Sequence, residues 1–255
     1  MSLIYVKDIR KVYQVDKERV VALNRINLAI EQGEVCCILG TSGSGKSTLL
    51  NIMAGLEKPS KGSVVIDGVN VTKLNEKQLA LFRQKNVGFV FQSYNLMPTQ
   101  TAVENVAMPL MFKGMGKAKR KKEAVQMLKA VKLEKRMMHK PTQMSGGQQQ
   151  RVGIARAFVA KPKIVFADEP TGNLDTKTTK EVMEIMVNMA REYNETLILV
   201  THDRDIAQYA DRIVYIVDGN IESDQPNESI LKKAPAAAGG EEAKAEGGEP
   251  HEQNL

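Results

Sequence analysis

The sequence predicts an α/β fold: a core with a parallel sheet, a small antiparallel β-subdomain and an inserted α-helical subdomain. Three observations predict it. Val35–Leu39, Ile164–Ala167 and Leu197–Val200 are short, unbroken apolar runs, as expected of parallel strands covered on both faces. Between the last two, Val182, Ile185, Met186 and Met189 recur at helical i, i+3, i+4, i+7 spacing, which makes a βαβ unit. From about residue 95 to 160 helical periodicity takes over, as at Ala124, Met127, Leu128 and Val131.

In chain order, the strand Val35–Leu39 runs into a glycine loop, and Ser47–Ala54 reads as the helix that follows. Val64–Ile66 and Val69–Val71 flank Asp67-Gly68, a hairpin with a tight turn. Val87–Phe91 is a strand. The helical stretch carries eight of the 13 methionines, between Met97 and Met144, and eleven Lys or Arg between Lys113 and Lys140 against only Glu123 and Glu134. That pattern marks a methionine-rich helical lobe with a basic surface. Ile213–Val217 is a last strand-sized run. The body is expected to span residues 1–225. Residues 226–255 read as a largely disordered extension: in the last 22 residues Ala, Gly, Glu and Pro account for 17, too little apolar surface to offset the entropy of ordering.

Composition excludes several classes. With 255 residues, 42% hydrophobic and 26% charged, the chain has the profile of a soluble globular protein. No apolar run approaches the roughly 18 residues that cross a bilayer, and the N-terminus lacks the pattern of a signal peptide. Cys36 and Cys37 are adjacent on a strand and point to opposite faces, so a disulfide scaffold and a cysteine-rich zinc site are excluded, and a reducing, cytosolic setting is expected. The net charge of +6 divides into about +10 over residues 1–233 and −4 over 234–255. A basic body suits nucleic acid, an anionic membrane surface or a phosphate-bearing ligand, and charge alone does not choose.

The motifs do. Gly40–Thr48, GTSGSGKST, fits G-x-x-x-x-G-K-[ST] between a strand and a helix. Gly43 and Gly45 let the backbone curl so that the N–H groups of Gly40, Thr41, Ser42, Ser44 and their neighbours converge on phosphate oxygens. The next helix turns its positive end to the same anion. Lys46 can span the β- and γ-phosphates, and the Ser47 hydroxyl, followed by Thr48, can hold Mg²⁺. A second motif, Ile164–Pro170, IVFADEP, delivers two acids to the C-terminal edge of a strand, where open α/β sheets bind ligands. Asp168 is suited to hydrated Mg²⁺, and Glu169 to orienting and deprotonating a water. Together they specify a P-loop NTPase core acting on Mg-nucleotide. A third motif, Met144–Phe158, opens with Ser145, Gly146, Gly147 and Gln148 at a helix N-terminus, a second anion cradle. One triphosphate on one chain does not need two. The economical reading is that this cradle serves the nucleotide of a second copy of the chain, packed head-to-tail.

Over about residues 2–225 the chain resembles the ATP-binding subunits of ABC transporters. GTSGSGKST is similar to Walker A, IVFADEP to Walker B, and Ser145–Gln149 to the ABC signature, with Met144 where Leu is usual. The resemblance implies roles for further residues: Gln92 as the Q-loop glutamine sensing Mg²⁺ and water, Asp175 in the D-loop, His202 as the switch histidine at the γ-phosphate, and Tyr13 stacked on adenine. FVFQSYNLMP, PTQMSGGQQQRV and ADEPTGNLD are most similar to the lipoprotein-release and macrolide-export branch.

Each residue also has a plainer reading. His202 by itself is an ordinary surface or core histidine, Tyr13 a cap on a small β-sheet, the cysteines and methionines packing, and Lys117–Lys122 a solvated face. The resemblance implies ATP and Mg²⁺ as cofactors and an ATP-dependent homodimer driving an integral membrane permease from the cytoplasmic face of the plasma membrane. Export, lipoprotein release and mechanotransmission without any solute moved all stay open. The competing class is a soluble ATPase of the same family acting on nucleic acid or ribosomes. A single nucleotide domain without an aromatic-rich basic patch speaks against it, so no nucleic acid partner is expected.

Overall fold

The computed structural model describes residues 2–16 and 18–228. Two long strands open the chain, β1 (Ser2–Val15) and β2 (Glu18–Glu31). They are followed by β3 (Val35–Leu39), helix α1 (Lys46–Met53), and the hairpin β4 (Lys61–Ile66) and β5 (Val69–Asn70). Then come α2 (Glu76–Asn86), β6 (Val87–Phe91), and the lobe helices α3 (Ala102–Phe112), α4 (Lys117–Ala130) and α5 (Gly146–Phe158). The chain closes with β7 (Ile164–Asp168), α6 (Thr176–Glu192), β8 (Thr196–Thr201), the short α7 (Arg204–Ala207), and the hairpin β9 (Arg212–Val217) and β10 (Asn220–Pro226).

The strands form two sheets. One is antiparallel, in the order β2-β1-β4-β5; the other runs β10-β9-β3-β8-β7-β6 and is parallel except for the edge strand β10. Side chains alternate across the parallel sheet. On β3, Cys36 and Ile38 enter a core shared with the antiparallel sheet, α1 and α2. Val35, Cys37 and Leu39 enter a second core shared with α3, α4, α5 and α6. The parallel sheet is therefore the middle of three layers, which is why its strands are apolar at nearly every position. Both cysteines are buried, free and on opposite faces; burial pushes the Cys37 thiol up to about 12.

Two features add to the sequence expectation, the second by moving a boundary. The helical lobe has no core of its own: Leu128, Met144 and Phe158 lie in the same apolar cluster as Val165 and Leu199 of the sheet. The folded body also continues past residue 225. Pro226 pairs with Arg212 in the terminal hairpin, and Asn227 is buried, donating through Nδ2 to the carbonyls of Ala207, Gln208 and Ala210. The acidic stretch 234–255 lies outside the described residues.

Parallel register fixes where the chemistry sits. Phe91 pairs with Asp168, Asp168 with Val200, and Leu39 with Thr201. The residues immediately after these strand ends, Gly40, Gln92, Glu169 and His202, are thereby delivered to one edge of one sheet.

Candidate nucleotide site

At that edge lies a cleft of about 730 Å³. Its wall includes Gly40 to Gly43, Gly45 to Thr48, Gln92, Glu169 and His202, all anticipated from sequence. Leu39, at the end of β3, and Ala22, Arg204 and Tyr215 complete it; no motif announces the last three, because they arrive from separate elements, β2, α7 and β9.

The loop before α1 is built for an anion. Gly45 is the N-cap of α1 at φ 102°, and no side chain caps the helix. The N–H groups of Lys46, Ser47 and Thr48 have no acceptor among the described residues, so they are free to meet phosphate oxygens. A Cβ at Gly45 would stand 2.5 Å from the carbonyl oxygen of Ala22, so glycine is required there by space as well as by φ. Ser44 is buried with its hydroxyl unpartnered. Lys46 is buried, and its Nζ donates to the Thr41 carbonyl at 2.7 Å, a bond within the loop that a phosphate can replace.

Asp168 is not on the cleft wall itself but is bonded to Ser47, which is: Ser47 Oγ donates to Asp168 Oδ1 at 3.2 Å. Burial lifts the Asp168 carboxyl above the usual carboxylate range, and the Ser47 bond pulls it partly back. An incompletely compensated carboxylate beside a hydroxyl, with Gln92 on the same cleft, is an oxygen donor set that fits a small hard cation such as Mg²⁺.

Glu169 stands at φ 44°, a left-handed conformation rare outside glycine. The strained turn is held by its N–H donating to Val200 O at 2.9 Å and by Gly172 N–H donating to Glu169 O at 3.1 Å. Its carboxylate is held on both oxygens. Oε1 is 2.8 Å from His202 Nδ1, and Oε2 accepts from Thr201 Oγ1 at 3.3 Å. His202 is two-thirds exposed, so its other edge opens to the cleft.

The second cradle is elsewhere. None of Ser145, Gly146, Gly147 and Gln148 lines the cleft. Ser145 caps α5 in a reciprocal box with Gln148, leaving the N–H groups of Gly146 and Gly147 without acceptors among the described residues. The glycines also have an in-chain reason that sequence did not reveal. A Cβ at Gly146 would lie 2.7 Å from Tyr94 Oη, and one at Gly147 would lie 2.3 Å from Thr178 Cγ2. The start of α5 is thus wedged against the segment after β6 and the first turn of α6.

Two further anticipated residues lie off the cleft wall. Tyr13 is not on the cleft wall; it lies beside Thr48, donates its hydroxyl to Glu57 at 2.8 Å, and has Lys11 Nζ 4.9 Å from its ring centroid. Asp175 is the N-cap of α6, accepting from Thr178 N at 3.0 Å and Thr178 Oγ1 at 2.7 Å, which holds its carboxyl below the usual range. Neither side chain touches the cleft in this single chain.

A separate concavity, about 720 Å³, is lined in part by residues of the lobe. Leu81, Phe89, Phe91, Pro109 and Phe112 give it an apolar lining, and its Phe91 and Asn95 flank Gln92 in the chain. Phe112 and Leu81 are 64% and 58% exposed, unusual for large apolar side chains in a folded body. Among the described residues no helix is long and apolar enough to cross a membrane.

The ABC transporter family model matches residues 23–172. The chain is 45% identical over 227 residues to an uncharacterized ABC transporter ATP-binding protein, MJ0796, of Methanocaldococcus jannaschii, covering 88% of this chain and 97% of that one. A dimeric MJ0796 structure in a post-hydrolysis state bound to ADP and Pi superposes with a TM-score of 0.82 at 43% identity, over 88% of this chain and 98% of its own. The lipoprotein-releasing system ATP-binding protein LolD of Geobacter metallireducens is 46% identical over 223 residues, 88% of this chain and 99% of LolD. The macrolide export ATP-binding/permease protein MacB of Brucella melitensis is 46% identical over 228 residues, 89% of this chain but 35% of MacB.

Proposed function

The chain belongs to the ABC transporter family as an ATP-binding subunit, and from that membership we propose how its cleft works. The subunit binds and hydrolyses ATP, pairs with a second copy of itself, and serves an integral membrane permease of the lipoprotein-release or macrolide-export type. One observation carries the reading of the site: a phosphate cradle and the Glu169–His202 pair line the same cleft, while the second cradle, at Ser145, is not part of its wall.

In this reading the amides at the start of α1 and Lys46 hold the triphosphate. Ser47, Asp168 and Gln92 would hold Mg²⁺, which when bound neutralises the phosphate oxygens. Glu169 orients the attacking water and takes its proton, and His202 fixes the carboxylate through Nδ1 and turns its exposed edge toward the γ-phosphate. Ser145, Gly146, Gly147 and Gln148 of the second copy close over the nucleotide from the other side. Tyr13 reaches adenine only if Lys11 yields its ring face, and Asp175 acts at the dimer contact while still capping α6. The apolar groove beside Gln92 receives a cytoplasmic helix of the permease, which holds the subunit at the inner face of the plasma membrane. Nucleic acid as the working partner finds no support in these relatives.

The test is Glu169→Gln, which keeps shape and removes the base. ATP binding is expected to persist while turnover falls by at least about a hundredfold, and an ATP-bound dimer is expected to accumulate in sedimentation. A variant that turns over at the wild-type rate removes Glu169 from the mechanism.

A further inference from the structure

Arg156 is a half-buried cation with no counter-ion. It projects from α5 into the wall of the apolar groove. Its Nη1 donates to Asn95 O and its Nη2 to Tyr94 O at 2.9 Å. Both acceptors belong to consecutive left-handed residues, at φ 60° and 48°. Two carbonyls satisfy the fork geometrically but leave the charge uncompensated. Among the described residues no carboxylate pairs with Arg156, and burial pulls its guanidinium below the usual arginine range. Arg83, which donates to Gly55 O, lines the same groove and likewise has no carboxylate partner. No Asp or Glu lines this groove. It therefore offers an apolar floor and two guanidiniums that no carboxylate among the described residues neutralises.

We propose that the occupant of the groove is an amphipathic helix of the permease that carries a carboxylate, paired with Arg156, among its apolar anchors. This rests on the reading of the groove as the permease contact and adds the partner's chemistry. The apolar lining supplies burial. The carboxylate supplies register and selectivity, because a neutral or basic residue at that point leaves a desolvated guanidinium unpaired. The pairing also reaches the nucleotide. Arg156 grips the carbonyls of residues 94 and 95, Gln92 lies just before them on the cleft, and Tyr94 Oη packs on Gly146 at the start of α5. A carboxylate that competes for the guanidinium loosens that grip at the point joining groove, cleft and signature helix.

The test uses three stapled helical peptides of Leu, Ala and Gln that differ only at one central position, Glu, Gln or Lys. Each is fluorescently labelled and titrated against the full chain by anisotropy. The Glu peptide is expected to bind about tenfold more tightly than the Gln peptide, the Lys peptide more weakly than both, and the Glu advantage to shrink in high salt. In Arg156→Gln the Glu advantage should vanish while the Gln peptide keeps its affinity; Arg156→Lys should preserve the advantage. Equal binding of the Glu and Gln peptides to the wild-type chain overturns the carboxylate proposal and leaves the groove reading standing, as does an advantage that survives in Arg156→Gln. If no peptide binds at all, the groove reading itself fails. Should Arg156→Gln not fold, the salt series on the wild-type chain decides, and a Glu advantage indifferent to salt overturns the proposal.

Discussion

Glu169 shows how one residue can carry strain and function together. Its left-handed φ aims the carboxylate back over the sheet edge, where His202 and Thr201 each hold one oxygen. Glu195, between α6 and β8, is a second unusual acid with no part in the cleft. It is 3% exposed, and neither carboxylate oxygen has a hydrogen-bond partner. Burial raises its pKa to about 8 from an ordinary 4.5, with Lys161 and Lys113 opposing the shift; Tyr193 is the other titratable neighbour, its own pKa also raised, chiefly by burial. The sign follows from proton counting. Between about 4.5 and 8 the folded chain keeps a proton that the unfolded chain has released, so stability falls as pH rises through that window and is flat beyond it. Glu195→Gln removes the titration. It should raise the melting temperature at pH 8.5 more than at pH 5, by up to about 4 kcal/mol of stability at the alkaline end. Parallel pH–stability curves for the two proteins would mean that Glu195 is solvated after all.

At the scale of elements, the sequence was most legible where one local rule dominates. The parallel strands announce themselves because both faces are covered, and the loop before α1 because phosphate binding demands Gly, Lys and Ser at fixed offsets. The two longest strands stayed unread. β1 and β2 break their alternation at several register shifts, with Asp8 at φ 49° and Arg25 at φ 55°, so no period of two survives along them. The helix α2 was missed because only Leu79, Phe82 and Asn86 of it are buried, though Asn75 and Gln78 form a capping box that marks its start. The wedge of Gly146 and Gly147 against Tyr94 and Thr178 was out of reach, since it joins residues far apart in sequence. The end of the body was placed too early because Asn227 looks like a loop residue until its amide is seen donating to the carbonyls around α7. Asn227→Ala should therefore cost about 1–3 kcal/mol, by leaving those buried carbonyls short of a donor. Chemical denaturation reads it directly, and an unchanged midpoint would return Asn227 to the tail.

At the scale of the whole molecule, the separation of the two cradles is the fact with the largest consequence. The signature residues take no part in the cleft wall, and the free amides of Gly146 and Gly147 have no acceptor among the described residues. A dimer in which each chain closes the other's cleft resolves both, and the dimeric MJ0796 structure shows that this fold pairs. Two defective chains then make a sharper test than one. Lys46→Ala removes the phosphate grip and leaves the signature intact. Ser145→Arg blocks the signature and leaves the cleft intact, at the cost of the α5 cap, about 1 kcal/mol. Each variant alone should bind or dimerise poorly and hydrolyse little. Mixed in equal amounts they form, among others, a mixed dimer in which the good cleft of one chain meets the good signature of the other. Activity should then appear on mixing, up to about a quarter of the wild-type rate, since half the dimers are mixed and each holds one whole site. It should rise with protein concentration and disappear on dilution. A cleft that works within a single chain predicts that Ser145→Arg is active alone and that mixing adds nothing, and either that result or a mixture as inactive as its parts at high concentration would refute the shared site.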